Sequence, residues 1–332
     1  MLNQCLSQKP SRRRILTSIL AASAVPHPAG LCFAQSYPTR SPRIIVGFAP
    51  GGGNDIVARL TGQWLTERLG QSFVIENRPG GGSNTATEAV VRAPADGYTL
   101  LLVSLANATN ATLYDKLTFN FLQDIAPVAG IVRVPNVMLV HPAMPVNSVS
   151  EFIAYAKTNP GKVNMASGGT GGPVHMIGAL FNVMSGLKMQ HVPYRGEALA
   201  LSDLMAGQAQ VVFGSLPASI EHIRAGTLRA LAVTTAIRAE ALPHVPAVGD
   251  FVRGYDASTW YGIGAPKNTR TEIIELINTE INGGLNGGAL RARLNEFGGM
   301  PIGGTPADFR RLIAEDTEKW GMVIRATKMK PE

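Results

Sequence analysis

Short apolar segments alternate along this chain with segments whose apolar residues recur every three or four positions. The short segments predict strands and the periodic ones predict helices, because a strand buries every second side chain and a helix buries one stripe. The predicted strands are 44–48, 73–76, 99–103, 125–134, 137–141, 163–166, 190–193, 211–213, 228–234 and 262–265. The predicted helices are 55–69, 84–92, 148–158, 173–185, 197–206, 217–225, 270–286, 289–297 and 306–327. This alternation predicts an α/β protein with helices packed on mostly parallel sheets.

Two proline-containing joints predict that the chain crosses twice between domains. Pro135, Pro142 and Pro145 lie near its middle, and Gly264-Ala265-Pro266 lies later. These crossings would place 36–140 plus 262–332 in one domain and 141–261 in the other. Small ligands commonly bind in the cleft between two domains, so the site is expected there.

A glycine-rich turn follows the first predicted strand and precedes the first predicted helix. Its sequence is Phe48-Ala49-Pro50-Gly51-Gly52-Gly53-Asn54-Asp55. Glycine lets backbone come close to a ligand, and a helix start offers unpaired N–H groups to an anion. The pattern is neither G-x-x-x-x-G-K-[ST] nor G-x-G-x-x-G, so a small carboxylate fits better than a nucleotide. A turn that only joins a strand to a helix is the alternative.

A second turn of the same kind lies in the middle of the chain. It comprises Ala166-Ser167-Gly168-Gly169-Thr170-Gly171-Gly172-Pro173-Val174-His175, and Pro173 suits a first helical turn. The two predicted domains therefore each offer one strand–glycine–helix turn. Facing each other across a cleft, the two turns would hold one small acid between them.

The first 34 residues predict a cleavable export signal rather than part of the fold. The basic residues Lys9, Arg12, Arg13 and Arg14 precede an apolar run that ends at Val25. That run is shorter than the roughly 20 residues that span a bilayer. The arginines also suit a twin-arginine signal, and general secretory export remains the alternative.

Loss of this segment changes the charge and thiol content of the chain. The 332 residues include 30 Lys and Arg against 23 Asp and Glu, a formal charge of +7. Four of the basic residues and no acidic ones lie in the signal, so the rest carries about +3 and does not favour nucleic-acid binding. Both cysteines, Cys5 and Cys32, leave with the signal, so the remaining fold is predicted to contain no disulfide.

Several further motifs accompany the first glycine turn in a recognisable order. They are Val74-Ile75-Glu76-Asn77-Arg78-Pro79-Gly80, Ala95-Asp96-Gly97-Tyr98-Thr99-Leu100-Leu101, His191-Val192-Pro193-Tyr194-Arg195-Gly196, Asp203-Leu204-Met205-Ala206-Gly207-Gln208 and Leu228-Arg229-Ala230-Leu231-Ala232-Val233-Thr234. From about Tyr37 onward the chain resembles the Bug family, the extracytoplasmic solute receptors of tripartite tricarboxylate transporters. The resemblance implies a two-domain, Venus-flytrap periplasmic binding fold of the type II kind. It also implies a monomeric, non-enzymatic carboxylate receptor without cofactor, whose partners are the solute and membrane transporter subunits.

The resemblance also implies which residues hold the solute, through backbone N–H groups and water more than through arginine. The first turn supplies Phe48, Ala49, Gly51, Gly52, Gly53, Asn54 and Asp55, and the second supplies Ser167, Gly168, Thr170 and His175. Ser104 and Asn107 follow the third strand, and Tyr194 and Arg195 are expected near the cleft rim. For Asp55 a role at the helix start, and for His175 a packing role, are the alternatives.

One departure from the family pattern bears on the solute. Gly214 stands at a position that is often acidic in the family, where a carboxylate would pair with an amino-acid ammonium group. Its absence predicts a plain mono- or dicarboxylate rather than an amino acid.

Two other functions remain open on sequence alone. A receptor of this kind could present its closed form to a sensor kinase instead of a transporter. An exported hydrolase could use Ser167 with His175 or His191 as base, but the chain has no G-x-S-x-G motif and no H-E-x-x-H metal motif.

Overall fold

The computed structural model describes residues 37–331, which begin just after the predicted export signal. That prediction, over residues 1–34, lies outside the described part of the chain. Within the described part, none of the helices combines the length and apolar character needed to cross a bilayer.

Most of the predicted elements are confirmed, with ends that agree within four residues. The strands are β1 Arg43–Val46, β2 Val74–Asn77, β3 Thr99–Ser104, β4 Ile125–Val140, β5 Asn164–Ser167, β6 Gln190–Pro193, β7 Val211–Ser215, β8 Arg229–Val233, β9 Ser258–Pro266 and β10 Met300–Pro301. The helices are α1 Gly53–Leu69, α2 Asn84–Val91, α3 Leu105–Leu113, α4 Phe121–Asp124, α5 Val149–Thr158, α6 Pro173–Ser185, α7 Glu197–Met205, α8 Leu216–Arg224, α9 Thr271–Leu285, α10 Ala289–Asn295 and α11 Pro306–Thr327.

The strands form a mixed sheet in the order β2-β1-β3-β9-β4-β7-β5-β6, with β8 and β10 paired to β4. We call β1, β2, β3, β9, β10 and the 125–135 part of β4 the first half-sheet. The 136–140 part of β4 together with β5 to β8 is the second half-sheet. Strand β4 is common to both, because it pairs with β9 up to Pro135 and with β7 and β8 from Asn136 onward.

The expectation of mostly parallel sheets is wrong at the centre of the sheet. Parallel pairs are confined to β1 with β2 and β3, and to β5 with β6 and β7, within residues 37–331. Strands β4 and β9 pair antiparallel with each other, β9 also pairs antiparallel with β3, and β4 pairs antiparallel with β7. The reason is topological, since β4 carries the chain from one half-sheet into the other and β9 runs in the opposite direction.

Strand β4 is also longer than predicted. The sequence predicts two strands separated at Pro135, whereas the structure has one strand of 16 residues. Proline lacks the N–H group that a ladder needs. Pro135 is tolerated because it stands where β4 changes pairing partners. The proposed domain division at 140/141 and 261/262 stays a prediction.

Asn136 forms a buried polar cluster at this change of partners. Its side-chain amide donates to the Phe213 carbonyl at 2.9 Å and accepts from Thr259 Oγ1 at 2.8 Å. Its backbone N–H donates to Thr234 Oγ1 at 3.0 Å, and its carbonyl accepts from the Thr234 N–H at 2.9 Å. The cluster therefore joins β4 to β7, to β9 and to the segment after β8.

Helix α3 was not predicted, because its sequence LANATNATL has little intrinsic helix preference. Long-range hydrogen bonds hold it instead. Asn107 donates to Thr87 Oγ1, Thr109 to the Gly171 carbonyl and Asn110 to the Gly82 carbonyl, each at 2.8–2.9 Å. Tertiary contacts of this kind override a weak local preference.

Gly283 and Gly284 are neighbours in α9 with opposite surroundings, which gives a test of packing. A Cβ on Gly283 would have no atom within 4 Å, whereas one on Gly284 would lie 2.7 Å from Trp64 Cε2. Gly283→Ala should raise the free energy of unfolding by about 0.5–1 kcal/mol through helix propensity and unfolded-chain entropy. Gly284→Ala must displace the Trp64 ring and should be less stable than Gly283→Ala by about 1–3 kcal/mol. Urea denaturation compares the pair, and equal stabilities would contradict this packing.

Candidate functional site

The first glycine turn joins β1 to α1, and its backbone packs closely against side chains from other strands. Gly51 has φ of +85°, a conformation that favours glycine. A Cβ on Gly53 would lie 2.5 Å from the hydroxyl oxygens of both Ser215 and Tyr261. Gly53 is also the first residue of α1, so its N–H group has no acceptor within the helix.

Asp55 fixes this turn from within. Its carboxylate accepts from the Gly51 N–H at 3.1 Å, from Arg59 at 2.9 and 3.0 Å and from Asn77 at 3.0 Å. Asn77 also donates to the Phe48 carbonyl at 3.0 Å. Burial alone would raise the pKa of Asp55, but these hydrogen bonds outweigh it and the pKa lies below its ordinary value. Asp55 thus holds the turn and does not line the cavity described below.

The second glycine turn joins β5 to α6 and meets the segment after β6. A Cβ on Gly168 would lie 2.8 Å from the Glu197 backbone nitrogen. The Tyr194 N–H donates to the Ser167 carbonyl at 2.9 Å. Pro173 occupies the first turn of α6, as predicted.

The two turns line one narrow cavity of about 20 Å³ in this structure, which we call the glycine-loop cavity. Its walls are formed by Phe48, Gly52, Asn54, Gly168, Gly172, Pro173, Val174, Glu197, Ser215, Thr259 and Tyr261. Phe48 reaches across toward the second turn, since a Cβ on Gly172 would lie 3.4 Å from its ring. The starts of α1 and α6 therefore face a common space.

Glu197 places a carboxylate in the wall of this cavity. It is the first residue of α7 and only 7% exposed. One oxygen, Oε2, accepts from the Gly53 N–H at 3.1 Å and from Ser215 Oγ at 2.8 Å, and Oε1 accepts from the Ser215 N–H. Burial raises the pKa of Glu197 although these three hydrogen bonds oppose the increase.

The hydroxyl group of Tyr261 completes this end of the cavity. Tyr261 is 1% exposed in β9, and burial together with the nearby Glu197 carboxylate raises its pKa well above the ordinary value. Its hydroxyl and that of Ser215 are both close to Gly53, as noted above. Oxygen atoms of Glu197, Ser215 and Tyr261 thus lie close together in the cavity wall.

His175 and His191 lie behind the second turn and form a stacked pair. Their ring centroids are 3.6 Å apart, and the planes differ by 6°. Burial, and then the proximity of His191, lowers the pKa of His175 to about 3, so its ring is neutral at neutral pH. His175 Nδ1 accepts from the Gly171 N–H at 3.1 Å, and His191 Nε2 is 2.6 Å from Ser167 Oγ.

The remaining predicted residues lie around the cavity rather than in its wall. Ser104 and Asn107 are buried at the start of α3, where the Ser104 N–H donates to Asn107 Oδ1 at 2.9 Å. Thr170 is buried within the second turn. Arg195 is exposed, and its carbonyl accepts from the Ala49 N–H at 3.4 Å. Tyr194 donates to Asp203 at 2.5 Å, a bond that, with burial, raises the tyrosine pKa to about 12.

Of the predicted site residues, Phe48, Gly52, Asn54 and Gly168 line the cavity, and Ala49, Gly51, Gly53, Asp55 and Ser167 shape its two turns. The sequence did not select Glu197, Ser215, Thr259 or Tyr261. Glu197 directly follows Tyr194-Arg195-Gly196, so an acidic residue at a predicted helix start was the available signal. The two residues from β9 had no such signal, since they lie in an apolar strand. In the described part of the chain, no three His, Cys, Asp or Glu side chains gather as a metal site would require.

Comparison with known proteins gives consistent likenesses across the chain. The sequence profile of the tripartite tricarboxylate transporter family receptor, TctC, matches residues 57–329. Protein BugT of Bordetella pertussis is 36% identical over 302 residues, which cover 90% of this chain and 92% of BugT.

Solved structures show the same fold. The R. palustris protein Rpa4515 with adipate has a TM-score of 0.87 at 37% identity, covering 89% of this chain and all of that chain. MatC (Rpa3494) from Rhodopseudomonas palustris with bound malate has a TM-score of 0.82 at 28% identity, covering 87% and 100%. The predicted two-lobed periplasmic-binding fold is confirmed by these likenesses.

The raised pKa of Glu197 predicts a pH-dependent stability. Above its ordinary value of 4.5 the unfolded chain has lost this proton, whereas the folded protein keeps it up to the raised pKa. Stability therefore falls as pH rises through this window. Relative to Glu197→Gln, the wild type should lose free energy of unfolding with rising pH, as measured by urea denaturation across that range. Gly283→Ala, which changes no titrating group, serves as control. A difference that stays constant or grows in favour of the wild type would contradict the raised pKa of Glu197.

Proposed function

This chain belongs to the TctC family of tripartite tricarboxylate transporter receptors, and we propose that it captures a small organic acid in the glycine-loop cavity for such a transporter. The observation that carries the proposal is the convergence of two glycine turns, each at the start of a helix, on one cavity. Helix starts attract anions through their unpaired N–H groups and the helix dipole. Relatives of the same fold hold adipate and malate.

The proposed site residues are those that line or shape this cavity. Phe48, Gly52, Asn54 and Gly168 stand in its wall, and Gly53 and Ser167 anchor the adjacent backbone. Because Gly52, Gly168 and Gly172 leave backbone uncovered in this wall, the contacts to a solute carboxylate are expected to include backbone N–H groups and water. Such a wall favours negative charge without selecting one carbon skeleton.

Capture is proposed to work by closure of the two half-sheets over the solute. The Ala49 N–H donates to the Arg195 carbonyl, and the Gly53 N–H donates to Glu197, so the turn after β1 already contacts the segment after β6. A solute that touches both turns adds contacts available only when the halves are together. That difference in affinity shifts the population toward the closed form, which then docks on the membrane subunits.

The place of action is proposed to be the periplasm. The family is one of transporter receptors, and the predicted export signal, although outside the described residues, agrees with such a location. The receptor is proposed to act as a monomer.

Presentation of the closed form to a sensor kinase would use the same closure. Measuring uptake of the identified solute by cells that lack this chain would distinguish transport from sensing.

A hydrolase is disfavoured although one contact suits it. Ser167 Oγ lies 2.6 Å from His191 Nε2, as a nucleophile and its base would. Ser167, however, is 0% exposed and does not line the cavity. A substrate carbonyl in the cavity would therefore not meet the hydroxyl group.

Binding can be measured by calorimetry with a panel of small plain and amino-substituted carboxylic acids, beginning with any acid that mass spectrometry detects in the purified protein. At least one should bind with a Kd on the order of 1 μM or lower, about −8 kcal/mol. Gly52→Val and Gly168→Val should weaken that binding by about tenfold or more, because a Cβ at either position would press on Glu197. Gly283→Ala should bind as the wild type does. Normal binding by both valine variants would refute the glycine-loop site.

A further inference from the structure

The glycine-loop cavity contains one carboxyl group and no cation to balance it. Among the residues that line it, Glu197 is the acidic one and none is basic. Within residues 37–331, Glu197 forms no ion pair with a lysine, arginine or histidine. Buried carboxylates in proteins are normally paired with a cation or bound to a metal. This one faces a ligand cavity instead.

The carboxylate retains capacity to accept a further hydrogen bond. Three donors reach it, namely the Gly53 N–H and the Ser215 N–H and hydroxyl groups. An ionised carboxylate offers roughly four acceptor positions. The hydroxyl oxygens of Ser215 and Tyr261 are close by, so this end of the cavity is rich in acceptors.

The start of α6 contributes donors to the same cavity. Gly172 and Val174 line the cavity, and Val174 lies in the first turn of α6. A helix start presents N–H donors and partial positive charge. The lining thus combines N–H donors at the start of α6 with acceptor oxygens on Glu197, Ser215 and Tyr261.

Glu197 also occupies the space beside Gly214, the position at which the sequence lacks the acidic residue often found in the family. A Cβ on Gly214 would lie 3.5 Å from Glu197 Oε1. A carboxyl group from α7 therefore lies beside Gly214 although residue 214 itself is not acidic. The glycine at 214 thus does not by itself exclude an amino-acid solute.

We propose that Glu197 determines specificity by contacting a protonated amine on the solute, so that this receptor selects an amino-substituted carboxylic acid over the matching plain acid. The solute's carboxylate would lie against the N–H groups at the start of α6 and its ammonium group against Glu197. A plain dicarboxylate long enough to reach Glu197 would meet a like charge in a site of low dielectric. The inference rests on the proposed function, since it concerns the same cavity.

Matched pairs of acids that differ only by an amino group test this inference. Calorimetry would compare aspartate with succinate, glutamate with glutarate, 2-aminoadipate with adipate, and 4-aminobutyrate with butyrate. For at least one pair the wild type should bind the amino acid about tenfold or more tightly than its partner. Glu197→Gln keeps the size of the side chain but removes its charge, so that preference should disappear or reverse. Glu275→Gln, on the exposed face of α9, should keep it.

The outcomes separate this inference from the proposed function. Equal or tighter binding of the plain acids by the wild type would overturn the inference and leave carboxylate capture intact. An unchanged preference in Glu197→Gln would also overturn it, because the charge would then play no part. Binding of none of these acids, plain or amino-substituted, would count against both. Should Glu197→Gln fail to fold, the absence of a preference in the wild type would by itself still overturn the inference.

Discussion

The cavity depends on backbone segments that approach each other more closely than side chains would permit. A Cβ on Gly53 would collide with two hydroxyl groups, one on Gly168 with the Glu197 backbone, and one on Gly196 with Ala49 at 2.7 Å. These contacts bring the turns after β1, β5 and β6 to the same place. If side chains stood at these positions, the turns would be held apart and the helix starts would no longer face one space. The lack of side chains is therefore what creates the binding geometry.

The backbone that the glycines leave uncovered in the cavity wall affects which solutes can be distinguished. Amide N–H groups favour negative charge but distinguish carbon skeletons poorly, because every peptide unit offers the same donor. Selectivity then has to come from the side chains in the wall, among them Phe48, Asn54, Glu197 and Tyr261. Among these Glu197 is the acidic one, and the three hydrogen bonds that it accepts keep its carboxyl group in a fixed position.

The sequence was sufficient to predict features that depend on neighbouring residues. Helices 173–185 and 306–327 agree with the structure at both ends, because apolar periodicity and a proline in the first turn mark them. Both glycine turns were also found, since each follows an apolar strand directly. The antiparallel centre, α3 and Glu197 were not found. Each depends on partners more than fifteen residues distant, such as Asn107 with Thr87 or Glu197 with Gly53, and spacing along the chain does not reveal such partners.

The buried cluster around Asn136 has a mechanical consequence. Because β4 runs without a break through both half-sheets, no loose loop at this point can absorb a change in the angle between them. The strain of such a rotation would fall on the few peptide units at which β4 leaves β9 for β7 and β8. At this point Asn136 is hydrogen-bonded to Phe213, Thr234 and Thr259. The two half-sheets would consequently rotate only through small distortions of hydrogen-bonded strands. These hydrogen bonds would oppose a large rotation.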